Sequence, residues 1–474
     1  MKLGLVSLGC DKNTVDSERM LSALVGHGAE HVSDLSLADV ILVNTCGFID
    51  AAKEESIGTL LEMAHLKEEG RCQAVVAVGC LVERYRGELE PELPEVDLFV
   101  GLRDVDRLIP ELVSRGLLDP ASDAHPGDRT PLVDRRHVRY LKISEGCDHG
   151  CAFCAIPLWR GKHRSFEADR LVAEAQRLEA QGAVEINLVA QDLAHYGRDL
   201  PDGTELATLL RRLLDETDVP WFRLLYIYSA GLREPLIRLM SEEPRILPYL
   251  DMPIQHASDA VLVRMRRPER QAKLREKIAW LRESIPDLTL RTTVLVGFPG
   301  ETDENFRDLL NFMEDVEFDR LGAFAFSPQD GTRAMRMRTD FLPDGLARDR
   351  LEELLEVQRA ISADRLSRQV GRRVPVLIDA AGPTAEGRTA GQADDVDGVT
   401  LLEPGEGLAV GAIVEGEIVE ADDYDLRAVP RAGIRPAPPG SAGDLTARAA
   451  IDLTRRGRRP LPVLPVGLEA AWGR

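Results

Sequence analysis

Residues 140–157 have the sequence YLKISEGCDHGCAFCAIP, and this stretch determines how the rest of the chain is interpreted. It begins with an apolar run that is typical of a buried strand. Three cysteines, Cys147, Cys151 and Cys154, follow at once, so their thiols lie on one tight loop. Three thiolates can ligate three irons of a cubane cluster and leave the fourth iron open to another ligand. The spacing therefore predicts an iron–sulfur site on this loop.

A zinc site is the alternative for the same three thiols. A closed structural zinc site needs four ligands, and His149 or His163 could supply the fourth. The two alternatives differ in an observable way, because a zinc-structured binding module would be colourless when purified without air.

The seven cysteines are interpreted as reduced thiols. No apolar run approaches the roughly 18–20 residues that a transmembrane helix needs, so no membrane association is expected. Asp11 and Lys12 interrupt the N-terminal apolar stretch too early for the core of a secretory signal peptide. We therefore expect a cytoplasmic location, where cysteines bind metals more often than they form disulfides. A net charge of −21 also argues against a generic nucleic-acid binder.

The cysteine loop opens a segment, residues 132–370, in which predicted strands and helices alternate. Such alternation favours a parallel sheet, and six strand–helix units predict a partial TIM-like (β/α)6 barrel. A long helix over 344–370 is expected to close this domain. The predicted strands are 140–143, 184–189, 222–227, 247–250, 288–296 and 321–326.

Residues 1–125 show the same alternation on a smaller scale. This pattern predicts an N-terminal parallel α/β domain, followed by a turn-rich linker at 120–131. The predicted strands are 3–8, 40–43, 74–78 and 97–100.

Three further cysteines, Cys10, Cys46 and Cys80, each follow the end of a predicted N-terminal strand, in SLGC, LVNTCG and VAVGC. Because the loops after the carboxyl ends of parallel strands gather at one edge of a sheet, we expect these thiols to converge. Buried apolar thiols are the alternative. Cys72 precedes a strand and is expected to be structural.

Residues 373–430 change in style to short β-branched runs separated by Gly, Pro and Asp, which predicts a small antiparallel β-barrel. This segment has 3 Lys/Arg against 13 Asp/Glu, a net charge of −10, whereas residues 126–372 are almost balanced. The Pro- and Arg-rich residues 431–474 are expected to form a flexible tail. The acidic residues expected to cluster on the barrel are Asp394, Asp395, Asp397, Asp422, Asp423 and Asp425.

Two glutamines are candidate ligand-binding residues by position. Gln191 ends the second predicted barrel strand and Gln255 follows the fourth, where side chains usually contact ligands. Hydrogen bonding within the loops is the alternative role for both.

The C-x3-C-x2-C loop resembles the signature of the radical S-adenosylmethionine (SAM) superfamily. The resemblance implies that the open iron of a 4Fe–4S cluster on Cys147, Cys151 and Cys154 is chelated by SAM. One-electron cleavage of SAM then gives a 5′-deoxyadenosyl radical that abstracts hydrogen. It also implies that Phe153 lies beside the adenine of SAM, with core packing as the alternative role.

Together with the N-terminal cysteines and the small barrel, the chain up to Pro430 resembles the radical SAM methylthiotransferase family, whose C-terminal barrel is a TRAM domain. The resemblance implies a second, auxiliary 4Fe–4S cluster on Cys10, Cys46 and Cys80 that delivers sulfur. One SAM would supply the methyl group and a second the radical. The chemistry also implies an electron donor such as a flavodoxin or a ferredoxin, which the sequence does not identify.

Several stretches are similar to the protein-modifying, RimO-type branch of this family, which methylthiolates the β-carbon of an aspartate in a ribosomal small-subunit protein. The acidic barrel agrees with a basic protein as substrate and disfavours direct tRNA binding. A tRNA adenosine methylthiotransferase and a non-catalytic Fe–S carrier are the alternatives. The similar stretches are SLGCDKNTVDSE (7–18), residues 140–157, DMPIQHAS (251–258), FAFSPQDGTRA (324–334) and GRTAGQADDVDG (387–398).

Overall fold

The structure, a computed structural model, describes residues 1–120, 129–132 and 136–437. It has an N-terminal α/β domain, a central strand–helix domain and a C-terminal barrel, in the order that the sequence predicts. Within the described residues, every helix is too short or too polar to serve as a membrane span.

The N-terminal domain is a five-stranded parallel sheet covered by helices. Its strand order is β2-β1-β3-β4-β5, and every residue of β3 and β4 is buried, as expected for a parallel sheet covered on both faces. The two-residue strand β2 is too short for a sequence pattern to predict. The strands are β1 (Lys2–Ser7), β2 (Glu30–His31), β3 (Val40–Thr45), β4 (Ala74–Gly79) and β5 (Leu98–Gly101), and the helices are α1 (Asp11–Gly26), α2 (Asp50–Glu69), α3 (Cys80–Glu92) and α4 (Leu108–Ser114).

The central domain contains a six-stranded parallel sheet in the order β13-β12-β11-β10-β9-β6, which remains open between its first and last strands. It is therefore the partial barrel that the sequence predicts. The strands are β6 (Val138–Lys142), β7 (Ser144–Glu145), β8 (Arg164–Ser165), β9 (Glu185–Val189), β10 (Trp221–Leu224), β11 (Ile246–Asp251), β12 (Thr289–Val296) and β13 (Arg320–Ala325). The helices are α5 (Ile156–Arg160), α6 (Ala168–Ala180), α7 (Leu206–Glu216), α8 (Glu234–Glu242), α9 (Asp259–Arg264), α10 (Gln271–Ser284), α11 (Asp303–Val316) and α12 (Leu346–Ser367).

The C-terminal barrel is closed by five strands. Four neighbouring pairs are antiparallel, and the pair β16–β18 is parallel. The last strand runs to Arg435, so residues 431–435 belong to the barrel rather than to the predicted tail, and residues 438–474 lie outside the described residues. The strands are β14 (Arg373–Ala380), β15 (Ala385–Thr389), β16 (Thr400–Leu402), β17 (Ile413–Ala421) and β18 (Leu426–Arg435).

Arg129, near the end of the predicted linker, joins the first two domains. Arg129 is buried, and its guanidinium donates to Glu18 of α1 at 2.9 Å and to Glu174 of α6 at 3.2 Å. Glu18 also accepts from Arg139 of β6 at 3.0 Å. Residues 121–128 of the predicted linker lie outside the described residues.

A buried ion network joins the C-terminal barrel to the central domain. Arg388 of β15 contacts Asp379 of β14 and Glu185 of β9, each at 2.7 Å. Glu185 also pairs with Arg223 of β10 at 2.7 Å, and His137 lies 2.9 Å from Asp379. All five side chains are almost completely buried, so each charge depends on its partners.

We expect that Arg388→Met lowers the free energy of unfolding by about 3–5 kcal/mol, because Asp379 and Glu185 would keep buried charges with fewer partners. Urea denaturation measures the change. The control is Arg373→Met on the same barrel, because Arg373 is 61% exposed and pairs with Glu417 at the surface; it should cost less than about 1 kcal/mol. Equal costs for the two variants would contradict a special role for the buried network.

Candidate iron–sulfur sites

Cys147, Cys151 and Cys154, here called the loop trio, lie on the loop between β7 and α5. The loop is fixed by backbone hydrogen bonds, including Cys147 N–H to the Gly161 carbonyl at 3.1 Å. Gly146 has φ +77°, and a Cβ there would lie 2.1 Å from the Lys162 carbonyl oxygen. Only glycine therefore allows the chain to enter this loop.

The loop trio forms one electrostatic unit. Burial, together with the neighbouring thiol of Cys151, raises the pKa of Cys147 to about 11 and that of Cys154 to about 12. Without a metal the thiols of Cys147 and Cys154 hold their protons, whereas iron would supply the positive charge that makes them thiolates. Arg267 also donates to the Cys151 sulfur at 3.9 Å, so the donor set fits a cluster ligated by sulfur.

The two histidines that could complete a zinc site are bonded to other groups. His149 Nε2 lies 2.8 Å from an Asp192 carboxylate oxygen, and His163 Nε2 lies 3.0 Å from the Ser165 hydroxyl. Since the Nε2 of each imidazole contacts a group other than a cysteine, the arrangement favours a site with one open position over closed zinc.

Cys10, Cys46 and Cys80, here called the strand-end trio, follow the neighbouring strands β1, β3 and β4. The ends of these strands lie side by side at one edge of the sheet, and the role of the three thiols as cluster ligands stays a prediction. Burial raises the pKa of Cys46 to about 12, and the charges of Cys10 and Cys80 contribute to the same shift to a smaller extent. Burial likewise raises the pKa of Cys80 to about 11. The three thiols thus offer a second sulfur-only donor set.

Glycines allow this convergence. Gly9 has φ +88°, and a Cβ there would lie 3.0 Å from the Cys46 sulfur, so the Cys10 loop runs directly against Cys46. Gly79 has φ +107°, and a Cβ there would lie 2.5 Å from the Thr45 carbonyl oxygen. Larger residues at either position would separate the thiols.

Cys72 lies apart from both trios, as predicted. It is buried before β4, and its thiol donates to the Ala74 carbonyl at 3.4 Å. Cys72 therefore serves as a matched control for substitutions in either trio.

Arg160 links the strand-end trio to Glu145, two residues before the loop trio, and sequence reasoning did not identify it. It ends α5, the helix that directly follows the loop trio, and its side chain is 4% exposed. Its guanidinium donates to the Cys80 sulfur at 3.4 Å, to Asn13 at 2.6 Å and to Glu145 at 2.9 Å. The helix that leaves one trio therefore ends against the other.

Glu145 lies beside the loop trio and stays charged. Burial opposes its charged form, but Lys142 and Arg160 outweigh burial and hold the pKa of Glu145 well below its usual range. Gln191 donates from its amide nitrogen to Glu145 at 3.0 Å. The buried Gln191 Oε1 accepts no hydrogen bond from the described residues, so it is available to a donor on a ligand.

The other two predicted ligand-contact residues have less distinctive surroundings. Gln255 has φ +69°, and its backbone bonds to Thr293 and Leu295 of β12. Phe153 is half-buried and packs against the apolar cluster that contains Ala152 and Met265. Their contact with SAM stays a prediction.

A polar group beside the loop trio was only partly predicted. Asp192 accepts from His149 at 2.8 Å and from His195 at 2.6 Å. Burial opposes the charge of Asp192, but the hydrogen bonds from His149 and His195 outweigh it and hold the pKa of Asp192 well below its usual range. The Tyr228 ring stacks on His149 with centroids 4.0 Å apart. Asp192 directly follows the predicted ligand residue Gln191, whereas His195 and Tyr228 gave no signal in the sequence.

The acidic residues of the C-terminal barrel do not form one open surface. Asp397 accepts from the Tyr249 hydroxyl at 2.7 Å, and its side chain is 2% exposed. Asp394 is also buried, 3.8 Å from Arg388. The expectation of one acidic cluster is wrong for these two residues, because their charges are used inside the protein.

Three family models match the chain, one for each part. The model described as Uncharacterized protein family UPF0004 matches residues 2–101, the Radical SAM superfamily model matches residues 141–313, and the TRAM domain model matches residues 370–430. The fold, the loop trio and these matches define a radical SAM enzyme. Membership of this superfamily indicates SAM and an iron–sulfur cluster as cofactors.

Relatives of known name are similar over nearly the whole chain. Identity is 44% to the ribosomal protein uS12 methylthiotransferase RimO of Anaeromyxobacter sp. (strain Fw109-5), covering 98% of this chain and 96% of that protein. Identity to the proteins of the same name from Geobacter sulfurreducens and Desulforudis audaxviator is 43% and 45%. Those matches cover 90% of this chain and 97% and 96% of the relatives. The chain belongs to the RimO family of ribosomal protein uS12 methylthiotransferases.

Solved structures support the fold at much lower sequence identity. A radical S-adenosylmethionine methyltransferase, TsrM, from Kitasatospora setae, with tryptophan substrate and a SAM analogue bound, matches with a TM-score of 0.51 and 14% identity. This match covers 76% of this chain and 89% of that chain. The same enzyme with cobalamin and a [4Fe-4S] cluster bound matches with a TM-score of 0.50 and 14% identity, covering 86% and 83%.

Proposed function

We propose that this chain attaches a methylthio group to the β-carbon of an aspartate in ribosomal protein uS12. In this proposal the loop trio holds a 4Fe–4S cluster with SAM, and the strand-end trio holds an auxiliary 4Fe–4S cluster. The observation that carries the proposal is the contact of Arg160 with both Cys80 and Glu145, because it places the strand-end trio against the elements that flank the loop trio. The curated relatives carry the name of this activity.

The bound cofactors would supply the one-electron chemistry that breaks an unactivated C–H bond, which side-chain acids and bases cannot achieve. The chain would position them. Arg160 donates to the Cys80 sulfur of the strand-end trio, and Arg267 donates to the Cys151 sulfur of the loop trio. Hydrogen bonds to cluster sulfurs tune the reduction potential of a cluster. The open Gln191 Oε1 accepts from a donor on SAM, Gln255 contacts SAM, and Phe153 forms an apolar wall beside the adenine.

The negative charge of the C-terminal barrel favours a basic protein substrate, but less strongly than its sequence suggests, because Asp394 and Asp397 are buried and do not face a partner. The N-terminal residues 1–125 still have 11 Lys/Arg against 23 Asp/Glu, a net charge of −12. An acidic partner attracts a basic protein and repels a phosphate backbone. The proposal therefore includes uS12 as direct substrate and excludes tRNA.

The test is a direct competition. The reconstituted enzyme is incubated without air with SAM, a reductant and a sulfide source, and uS12 and tRNA are offered together. We expect a mass gain of one methylthio group on the target aspartate of uS12 and none on tRNA. Mass spectrometry of both products measures the outcome.

Two results would contradict the proposal. A methylthio group on tRNA alone would replace the substrate, and tRNA binding would then weaken steeply as salt is raised. Iron binding without any SAM cleavage would indicate a non-catalytic Fe–S carrier.

A further inference from the structure

Lys12 is a buried cation between the strand-end trio and the mouth of the central barrel. It lies in the first turn of α1, two residues after Cys10, and is only 7% exposed. Its Nζ donates to the Ala190 carbonyl at 3.4 Å and lies 3.6 Å from the centroid of the Tyr226 ring. Ala190 directly follows the end of β9, and Tyr226 is the second residue after the end of β10. The ammonium therefore lies at the barrel edge where ligands bind.

Among the described residues, this ammonium has no carboxylate partner. In the part of the chain that the structure describes, no carboxylate oxygen lies within 4.0 Å of Lys12 Nζ. By contrast, the neighbouring buried cations Arg160 and Lys142 both pair with Glu145, at 2.9 and 2.7 Å. Burial of an unpaired charge is costly, and a single long hydrogen bond with one cation–π contact compensates for it only in part.

The helix position makes the cation less favourable still. Helix α1 is 16 residues long, and its first turn carries the positive end of the helix dipole. Carboxylates are stabilising there, whereas cations are not. A carboxylate bound at Lys12 would be attracted both by the ammonium and by the helix N-terminus. Local stability gives no reason for a lysine at this position, but binding of an anion does.

We propose that Lys12 binds the side-chain carboxylate of the substrate aspartate and selects aspartate over its uncharged analogues. This inference rests on the proposed function, which names the substrate. The β-carbon of an aspartate is bonded directly to its carboxylate carbon, so a hold on the carboxylate fixes the C–H bond that must be broken. At Lys12 that bond would lie near Cys10, two residues earlier, and near Ala190, whose neighbour Gln191 donates to Glu145 just before the loop trio.

Substrate binding without turnover tests the proposal. The dissociation constant of the SAM-loaded, oxidised holoenzyme is measured for uS12 and for uS12 with the target aspartate changed to asparagine. The same pair is then measured with Lys12→Met. A hydrogen bond between charged groups predicts that wild type prefers aspartate about 10- to 150-fold, and that Lys12→Met abolishes the preference. Lys12→Arg keeps a cation and should restore part of it.

Two controls separate binding from folding. Lys273→Met removes an exposed lysine of α10, far from the site, and should keep the full preference for aspartate. Iron content and the visible absorption spectrum of each variant report whether both clusters are present. A variant that lacks iron is set aside in favour of Lys12→Arg.

Each outcome decides the matter. Loss of the preference in Lys12→Met alone supports the proposal. An equal loss of affinity for both forms of uS12 would mean that Lys12 only supports the fold, and would overturn it. If the wild type methylthiolates tRNA and not uS12, the proposed function fails and this role fails with it; if it modifies uS12 without any preference for aspartate, only the role of Lys12 fails.

Discussion

Replacement of Cys147 by Ala abolishes 5′-deoxyadenosine formation and methylthiolation together, and removes about half of the iron. The reason is that the loop trio has no spare ligand. His149 and His163 are bonded to Asp192 and Ser165, so neither replaces the missing thiolate without breaking an existing hydrogen bond. Anaerobic chromatography of the SAM products and an iron assay measure the two effects.

The matched control is Cys72→Ala, which removes a buried thiol outside both trios. Filling or relaxing the small void should cost about 1 kcal/mol and leave the iron content unchanged. If Cys147→Ala kept its full iron content and still cleaved SAM, the loop trio would not hold the radical cluster. If Cys72→Ala lost as much iron as Cys147→Ala, general unfolding would explain both.

Secondary structure followed from the sequence where amphipathic or apolar runs are long. The helix predicted at 344–370 is Leu346–Ser367, because apolar residues such as Leu351, Leu354 and Ile361 recur with helical spacing. The strand predicted at 222–227 ends earlier, at Leu224. Residues Leu225 and Ile227 are buried, but Tyr226 adopts φ +66° and turns the chain toward the site. Buried apolar residues in a loop after a strand therefore have the same sequence pattern as the strand itself, which makes the predicted strand too long.

Long-range pairing was not accessible to sequence reasoning. Alternation of apolar residues shows that β16 and β18 are strands, but nothing in it shows that they pair in parallel and close the barrel. Charge counting has the same weakness, because Asp397 contributes to the net charge although its carboxylate is buried against the Tyr249 hydroxyl.

The cysteines were predictable and their supporting residues were not. Each cysteine of the strand-end trio follows a strand, and the topology of a parallel sheet alone brings such positions to one edge. Arg160 and Lys12 are ordinary basic residues in the sequence. Their significance depends on contacts across the interface between two domains, with Cys80 in one case and Tyr226 in the other.

Replacement of Cys46 by Ala is expected to differ from replacement of Cys147 in one respect, the formation of 5′-deoxyadenosine. We expect SAM cleavage to 5′-deoxyadenosine to continue, methylthiolated uS12 to disappear and about half of the iron to be lost. Cys46 is buried among the strand-end trio and contacts no residue of the loop trio. The radical site therefore keeps all its ligands, whereas the auxiliary site loses one of three. Product analysis by mass spectrometry and the iron assay are run on the same sample.

Comparison of Cys147→Ala with Cys46→Ala distinguishes a two-cluster enzyme from a non-catalytic carrier and from an enzyme with a single cluster. In a non-catalytic Fe–S carrier neither variant would change SAM cleavage, because there would be none to change. In an enzyme with a single cluster, Cys46→Ala would retain all of its iron, and its methylthiolation would match that of Cys72→Ala. Loss of both reactions in Cys46→Ala would mean instead that the trios form one functional unit. Arg160 makes this a real possibility to test, since it contacts Cys80 and Glu145 at once. Continued SAM cleavage with loss of sulfur insertion is the outcome that requires two separate clusters.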